Sequence, residues 1–171
     1  MPHARAMTSR LQPDQPHDWS ALAERLRRCA SALAGRGRGD LADDLVQDTV
    51  ARLLSRGGDP PSYAYARAAL VRLYLDHHRG AARRAARALR WAASVQRRSP
   101  ETSADVDGGA LERALDRLSP LQRAALTLRL VEDLPTGAVA EALGASERVV
   151  RASLHTARVK MRAMLSEGGE P

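Results

Sequence analysis

The junction Leu143-Gly144-Ala145-Ser146 constrains this chain more than any other four residues. Two short helical patterns meet there. Ala140 lies one turn before Gly144, where a small side chain lets two helices cross closely. Gly144 suits the tight, positive-φ residue of the turn, and Ser146 suits the N-cap of the helix that follows. Beyond it Val150, Leu154, Ala157, Met161 and Leu165 recur at helical spacing and make a buried seam. The pattern is a helix-turn-helix, whose second helix has the dimensions to enter a DNA major groove.

The rest of the chain is equally helical in character. Of 171 residues none is Phe and only 3% are aromatic. Ala, Leu and Arg favour helix, and neither an alternating strand pattern nor an Asn-Gly hairpin signal occurs. The fold class is therefore all-α. The net charge of +7, from 27 Lys and Arg against 20 Asp and Glu, suits a polyanionic partner, nucleic acid or an anionic membrane surface. No apolar run approaches the roughly 20 residues that span a bilayer, so no membrane insertion is expected. The N-terminal stretch lacks the apolar core of a signal peptide. Cys29 is alone, and the expected compartment is the reducing cytoplasm.

Capping and breaking residues set the organisation. A tail occupies 1–17. Asp18 caps a helix to about Ala34, ended by Gly35, Gly37 and Gly39. Asp40 is placed to cap a second helix, which stops at Gly57-Gly58. Ser62 caps a long third helix reaching about Val95. Residues 96–109 lose periodicity and carry Pro100, Glu101, Asp105 and Asp107, the composition of a flexible linker. A second unit, 110–166, holds a short helix through Leu111, Leu115 and Leu118, a helix opened by Ser119-Pro120, and the helix-turn-helix. Residues 167–171 are a tail. The expectation is two small helical domains, 18–95 and 110–166, joined by that linker, the C-terminal one a helix-turn-helix.

Two faces of the first unit carry charge in an ordered way. From His77 to Arg98 there are seven arginines and no acid. At 100° per residue Tyr65, Arg72, Asp76, Arg79, Arg83, Arg87 and Arg90 fall within a strip about 80° wide, opposite Tyr63, Ala66, Leu70, Leu73 and Tyr74. Arginine forks bind phosphates and a ring stacks on an unpaired base; a merely solvated helix is the competing reading. The second helix, Asp40 to Leu54, turns Leu45, Val46, Thr49, Val50 and Leu53 inward and groups Asp44, Gln47 and Asp48 on the other side. That ridge reads either as solubility with helix-dipole support or as a docking patch for a basic surface. Adjacent histidines on a helix point about 100° apart, so His77-His78 is a poor chelate. No catalytic motif, phosphate loop or metal-ligand spacing is present, and neither a cofactor nor an enzymatic role is expected.

In this order the features resemble the extracytoplasmic function group of bacterial sigma-70 family factors. The similar segments are DLADDLVQD at Asp40 to Asp48, Leu75-Asp76-His77-His78-Arg79, LQRAAL at Leu121 to Leu126, Val139-Ala140 with Leu143-Gly144 and Ser146, and Val150 with Leu154-His155 and Ala157-Arg158. They span about residues 18 to 166. The resemblance implies an alternative sigma factor: a non-catalytic initiation subunit that binds core RNA polymerase and directs transcription from particular promoters. It implies docking of Asp44, Leu45, Gln47 and Asp48 on the β′ clamp helices. Capture of the −10 element would fall to Tyr65, Arg72, Asp76, Arg79, Arg83, Arg87 and Arg90. Duplex reading of the −35 element would fall to Ser146, Arg148, Arg151, Ala152, His155 and Arg158. The β flap, promoter DNA and an anti-sigma factor are the further partners implied. Val71-Arg72 stands where family members often have Arg-Asn, the Asn helping to select a flipped base. Two other readings stay open: a helix-turn-helix regulator that acts without polymerase, and a sigma-like interaction protein that has lost promoter selectivity.

Overall fold

The structure, a computed structural model, describes residues 18–94 and 109–167. All seven elements among them are helices: α1 Trp19–Ala34, α2 Gly39–Leu54, α3 Tyr63–Ser94, α4 Ala110–Asp116, α5 Pro120–Leu130, α6 Thr136–Leu143 and α7 Glu147–Glu167. Most of the region expected as linker lies outside the described residues.

Local chemistry accounts for the boundaries. The Asp18 carboxylate accepts from the Ala21 amide at 2.6 Å and opens α1. Ser119 and Gln122 form a reciprocal capping box ahead of α5, with Pro120 at the first turn, which satisfies two amides that would otherwise lack partners. Gly144 has φ 61°, its amide donates to the Glu141 carbonyl and the Ala145 amide to the Ala140 carbonyl. These paired bonds are a Schellman ending. A Cβ at Gly144 meets nothing within 4 Å, so backbone conformation alone sets the cost of a side chain there. Gly144→Ala is expected to destabilise the protein by about 1–2 kcal/mol, measurable as a lower urea midpoint with an unchanged m-value.

Three expectations about helix ends and faces are corrected. Asp40 does not cap α2: the helix begins at Gly39, its N-cap is Arg38 without a side-chain bond, and Asp40 lies in the first turn. There its charge favours the positive helix end without satisfying an amide. The α7 seam is buried at Val150, Leu154 and Ala157, but Leu165 is 41% exposed, because the final turn of α7 runs past the helices it packs against. The short helix ends at Asp116, and Leu111 points outward.

The core is one connected cluster. Leu22, Leu26, Leu33, Leu70 and Tyr74 of α1 and α3 belong to the same buried set as Leu128, Val139, Val150 and Ala157 of α5 to α7. Contacts of α5 with α1 and α3, and of α6 with α3, join the two groups of helices. The N-terminal and C-terminal helices thus pack on each other.

Candidate nucleic-acid and docking surfaces

On α2, Asp44, Gln47 and Asp48 are exposed along one strip. Leu45 differs from the other three docking candidates: it is 4% exposed, within the core. Its carbonyl accepts from the buried Thr49 hydroxyl at 2.6 Å. Leu45 therefore anchors the ridge from beneath and does not form part of its surface.

On α3 the arginine strip faces outward. Arg72, Asp76, Arg79, Arg83 and Arg87 are exposed and Tyr65 is 48% exposed. The opposite side buries Tyr63, Ala66, Leu70 and Tyr74. Arg79 bonds Asp76 one turn back at 3.1 Å, a pair of two exposed groups that offers little resistance to a competing phosphate. The side chain of Arg90 lies outside the described residues. Tyr65 stands at the mouth of a groove of about 620 Å³ between α2, α3 and α6. Arg52, Arg56, Arg67 and Arg72 line it; Arg56 donates to the Tyr65 hydroxyl. A half-exposed ring beside the Arg56 guanidinium, with Arg52 and Arg72 lining the same groove, can stack a base and hold its phosphate.

On α7, Arg148, Arg151, Ala152, His155 and Arg158 are exposed, while Val150, Leu154 and Ala157 are buried. The two sets are centred on opposite sides of the helix, roughly 140° apart. Ser146 accepts from the Val149 amide at 3.4 Å and serves the helix start. Its hydroxyl lies at the N-terminal end, where a groove-entering helix also meets backbone phosphates. Arg151 pairs with Glu147 at 3.1 Å, both exposed.

Three charged residues escaped the sequence reading. Arg67 and Glu132 form a pair at 2.9 Å with side chains only 10% and 11% exposed, and the Tyr63 hydroxyl donates to the same carboxylate at 2.9 Å. Arg123 is 6% exposed and bonds Asp116 at 2.7 Å and the carbonyls of Leu33 and Ala34 at 3.5 and 3.4 Å. A signal existed for Arg67, since it falls in the middle of the apolar strip of α3, where an unpaired charge is costly. Nothing in the sequence names its partner 65 residues away.

The remaining titratable groups do not form a reactive site. Burial, and after it the Glu132 charge, pushes the Cys29 thiol up to about 12 against the opposing Arg67, which leaves it an inert core group. His78 lies edge-on to Tyr74, with ring centroids 4.6 Å apart; burial first, then His77, Arg38 and Arg123, lowers its pKa below the usual imidazole value. Among the described residues no group of three His, Cys, Asp or Glu is placed to hold a metal ion, and no helix is long and apolar enough to cross a membrane.

Two comparisons with known proteins find a similarity. Residues 108–161 match the family model described as Sigma-70, region 4, a span running from just before α4 into α7. Among solved structures, the chain is similar to the sigma factor RpoE of Bartonella quintana, solved in complex with the anti-sigma factor NepR. The TM-score is 0.57 at 22% identity, covering 85% of this chain and 92% of that one. No curated protein sequence matches the chain.

Proposed function

We propose that this chain, whose residues 108–161 match Sigma-70 region 4 and whose fold is similar to that of a solved sigma factor, works as an alternative sigma factor of the extracytoplasmic function group through three surfaces on two modules. Residues 18–95 would form the first module and 110–166 the second, with 96–109 as the tether. The α2 ridge of Asp44, Gln47 and Asp48, seated on Leu45, docks on the basic coiled coil of the core polymerase β′ clamp. The α3 strip holds the unpaired strand of the −10 element. The α7 face reads the −35 duplex.

The observation that carries this reading is the segregation of charge on three helices. Each buries one apolar face and exposes a strip dominated by one kind of group: Asp44, Gln47 and Asp48 on α2, Tyr65 with arginines and the single acid Asp76 on α3, and Arg148, Arg151, His155 and Arg158 on α7. A regulator that acts without polymerase needs the third surface only. Opening of the duplex follows from binding alone, as captured bases shift the closed–open equilibrium, each worth about 1–3 kcal/mol of stacking. The chain contributes no catalytic group to the transcription reaction and works in the cytoplasm with the polymerase. The α2 ridge and the α5–α6 corner are surfaces an anti-sigma factor could cover.

The reading is tested at Arg151. Its ion pair with Glu147 is exposed and worth only about 0.3–0.5 kcal/mol, so a guanine edge displaces it readily. Arg151→Ala should weaken binding of the upstream element by about 1–3 kcal/mol if the contact is bidentate, with the loss concentrated at one base position. A footprint unchanged upstream removes Arg151 from the reading surface.

A further inference from the structure

The groove between α2, α3 and α6 holds more chemistry than strand capture uses. Its volume of about 620 Å³ falls inside the roughly 300–1,000 Å³ of small-molecule sites. Small side chains line it from two helices: Ala68 and Ala69 of α3, Ala138 and Ala142 of α6. Methyl groups leave the room a planar ring needs and give it apolar contact. Tyr65, at the mouth, is 48% exposed. Arg56 donates to its hydroxyl, and that guanidinium lies 5.8 Å from the ring centroid. The ring is held in place and still half open to a stacking partner.

Charge is arranged along the same groove. Arg52 lies one helical turn before Arg56 on α2, and Arg72 lies two turns past Tyr65 on α3, about 10 Å along the axis. Several exposed arginines of this chain hold an acid, as Arg36 holds Glu112 and Arg79 holds Asp76. Neither Arg52 nor Arg72 has an acidic partner among the described residues. Arg67, buried and lining the same groove, gives its Nη1 to Glu132 and has its Nε buried without a partner, a donor in want of an acceptor. From the α6 wall comes Glu141, exposed and without an ion pair among the described residues. The complement of these walls is a phosphate chain joined to a flat ring through a group bearing hydroxyls. The guanidinium groups of Arg52, Arg56 and Arg72 balance roughly the −3 charge of two linked phosphates near neutral pH. One phosphate alone would leave a fork unused. Ionised Glu141 accepts only, so it repels phosphate and takes sugar hydroxyls, as an acidic residue holds ribose in dinucleotide sites. A deoxyribose strand has no 2′-hydroxyl to offer it.

We propose that this groove is a binding site for a free ribonucleoside diphosphate. The base stacks on Tyr65 beside Arg56, the phosphates lie between Arg52 and Arg72, and the ribose hydroxyls donate to Glu141. Stacking tolerates any base, so the sugar and the phosphates set the class of ligand and the base adds affinity. The α6 wall has no part in the strand-binding surface proposed above, and the site goes beyond that reading and stands or falls without it.

The test is calorimetry on the full chain, titrated with ADP, 2′-deoxy-ADP and inorganic pyrophosphate in the absence of polymerase and promoter DNA. The wild type should bind one equivalent of ADP saturably. It should bind 2′-deoxy-ADP about tenfold more weakly, for want of one hydrogen bond to a charged group, and pyrophosphate at least about tenfold more weakly, for want of stacking. Tyr65→Ala should weaken ADP by about tenfold or more and leave pyrophosphate unchanged. Arg52→Ala with Arg72→Ala should weaken both. Ala138→Trp, which puts an indole into the groove from α6, should abolish ADP binding. Glu141→Ala should erase the preference for ADP over 2′-deoxy-ADP. That side chain is exposed and alanine is the best helix former, so this variant decides the matter should the tryptophan variant lose its helical far-ultraviolet spectrum. No saturable ADP binding by the wild type overturns the proposal. Pyrophosphate binding as tight as that of ADP overturns it too, since the ring would then play no part. ADP binding indifferent to both α6 variants would be an affinity of the α3 face for any nucleotide, and it also overturns the site. Polymerase and strand binding decide the promoter reading separately.

Discussion

A chain carrying Asp44→Lys together with Asp48→Lys elutes from size exclusion alone, and core RNA polymerase elutes without it. Both carboxylates stand exposed on one strip of α2, so the double change reverses the sign of the ridge without touching the core. Like charges brought together at an interface cost several kcal/mol, and at 1.4 kcal/mol per decade the expected loss of affinity is at least about 100-fold. Folding should change little: surface substitutions of this kind stay within roughly ±0.5 kcal/mol, and the pair are already like charges one turn apart. Leu45→Ala provides the contrast. Leu45 is 4% exposed, and its truncation is expected to cost about 2–5 kcal/mol of stability, so any loss of polymerase binding there tracks unfolding. Co-elution of the double-lysine chain at wild-type ratios would remove the docking role from α2.

The second large effect belongs to the α3 strip. Arg79→Ala, Arg83→Ala and Arg87→Ala together remove three exposed guanidinium groups that bury nothing. Each phosphate contact to a single strand contributes about 0.7 to the slope of log affinity against log salt. The triple variant should therefore bind a single-stranded −10 oligonucleotide roughly 100-fold more weakly at 0.1 M salt, with a slope flatter by about 2. Duplex binding by α7 should be untouched. A weaker affinity with an unchanged slope would mean that the arginines shape the helix without meeting phosphates. Tyr65→Ala separates stacking from charge, since it should lower affinity with no change in slope.

Much of this was legible in the sequence because it is local. Asp18, Ser62, Ser119 and Gly144 act on backbone groups within four residues of themselves, and helical periodicity alone sorts α3 into a tyrosine-and-leucine face and an arginine face. What the sequence withheld is nonlocal. Glu132 reads as one acid in a turn, and its role as counter-ion to Arg67 needs α5 to lie on α3. Arg123 reads as part of a helical motif, yet it closes the end of α1, some 90 residues earlier. Asp40 shows the limit of local rules too: a good capping residue lost the cap to a helix that begins two residues sooner. Leu45 sits in the docking motif by sequence neighbourhood and in the core by geometry, since on a helix the residue after Asp44 points about 100° away from it.

One behaviour separates a sigma factor from any other use of these surfaces: promoter choice conferred on an enzyme that lacks it. The direct measurement is reconstituted transcription, with core RNA polymerase and this chain acting on fragmented genomic DNA and the 5′ ends of the RNAs sequenced. The expected result is a discrete set of start sites, absent with core polymerase alone, sharing two upstream motifs at fixed spacing and lost with the Asp44→Lys, Asp48→Lys chain. Transcripts indistinguishable from those of core polymerase alone, from a chain that still binds duplex DNA, would contradict it.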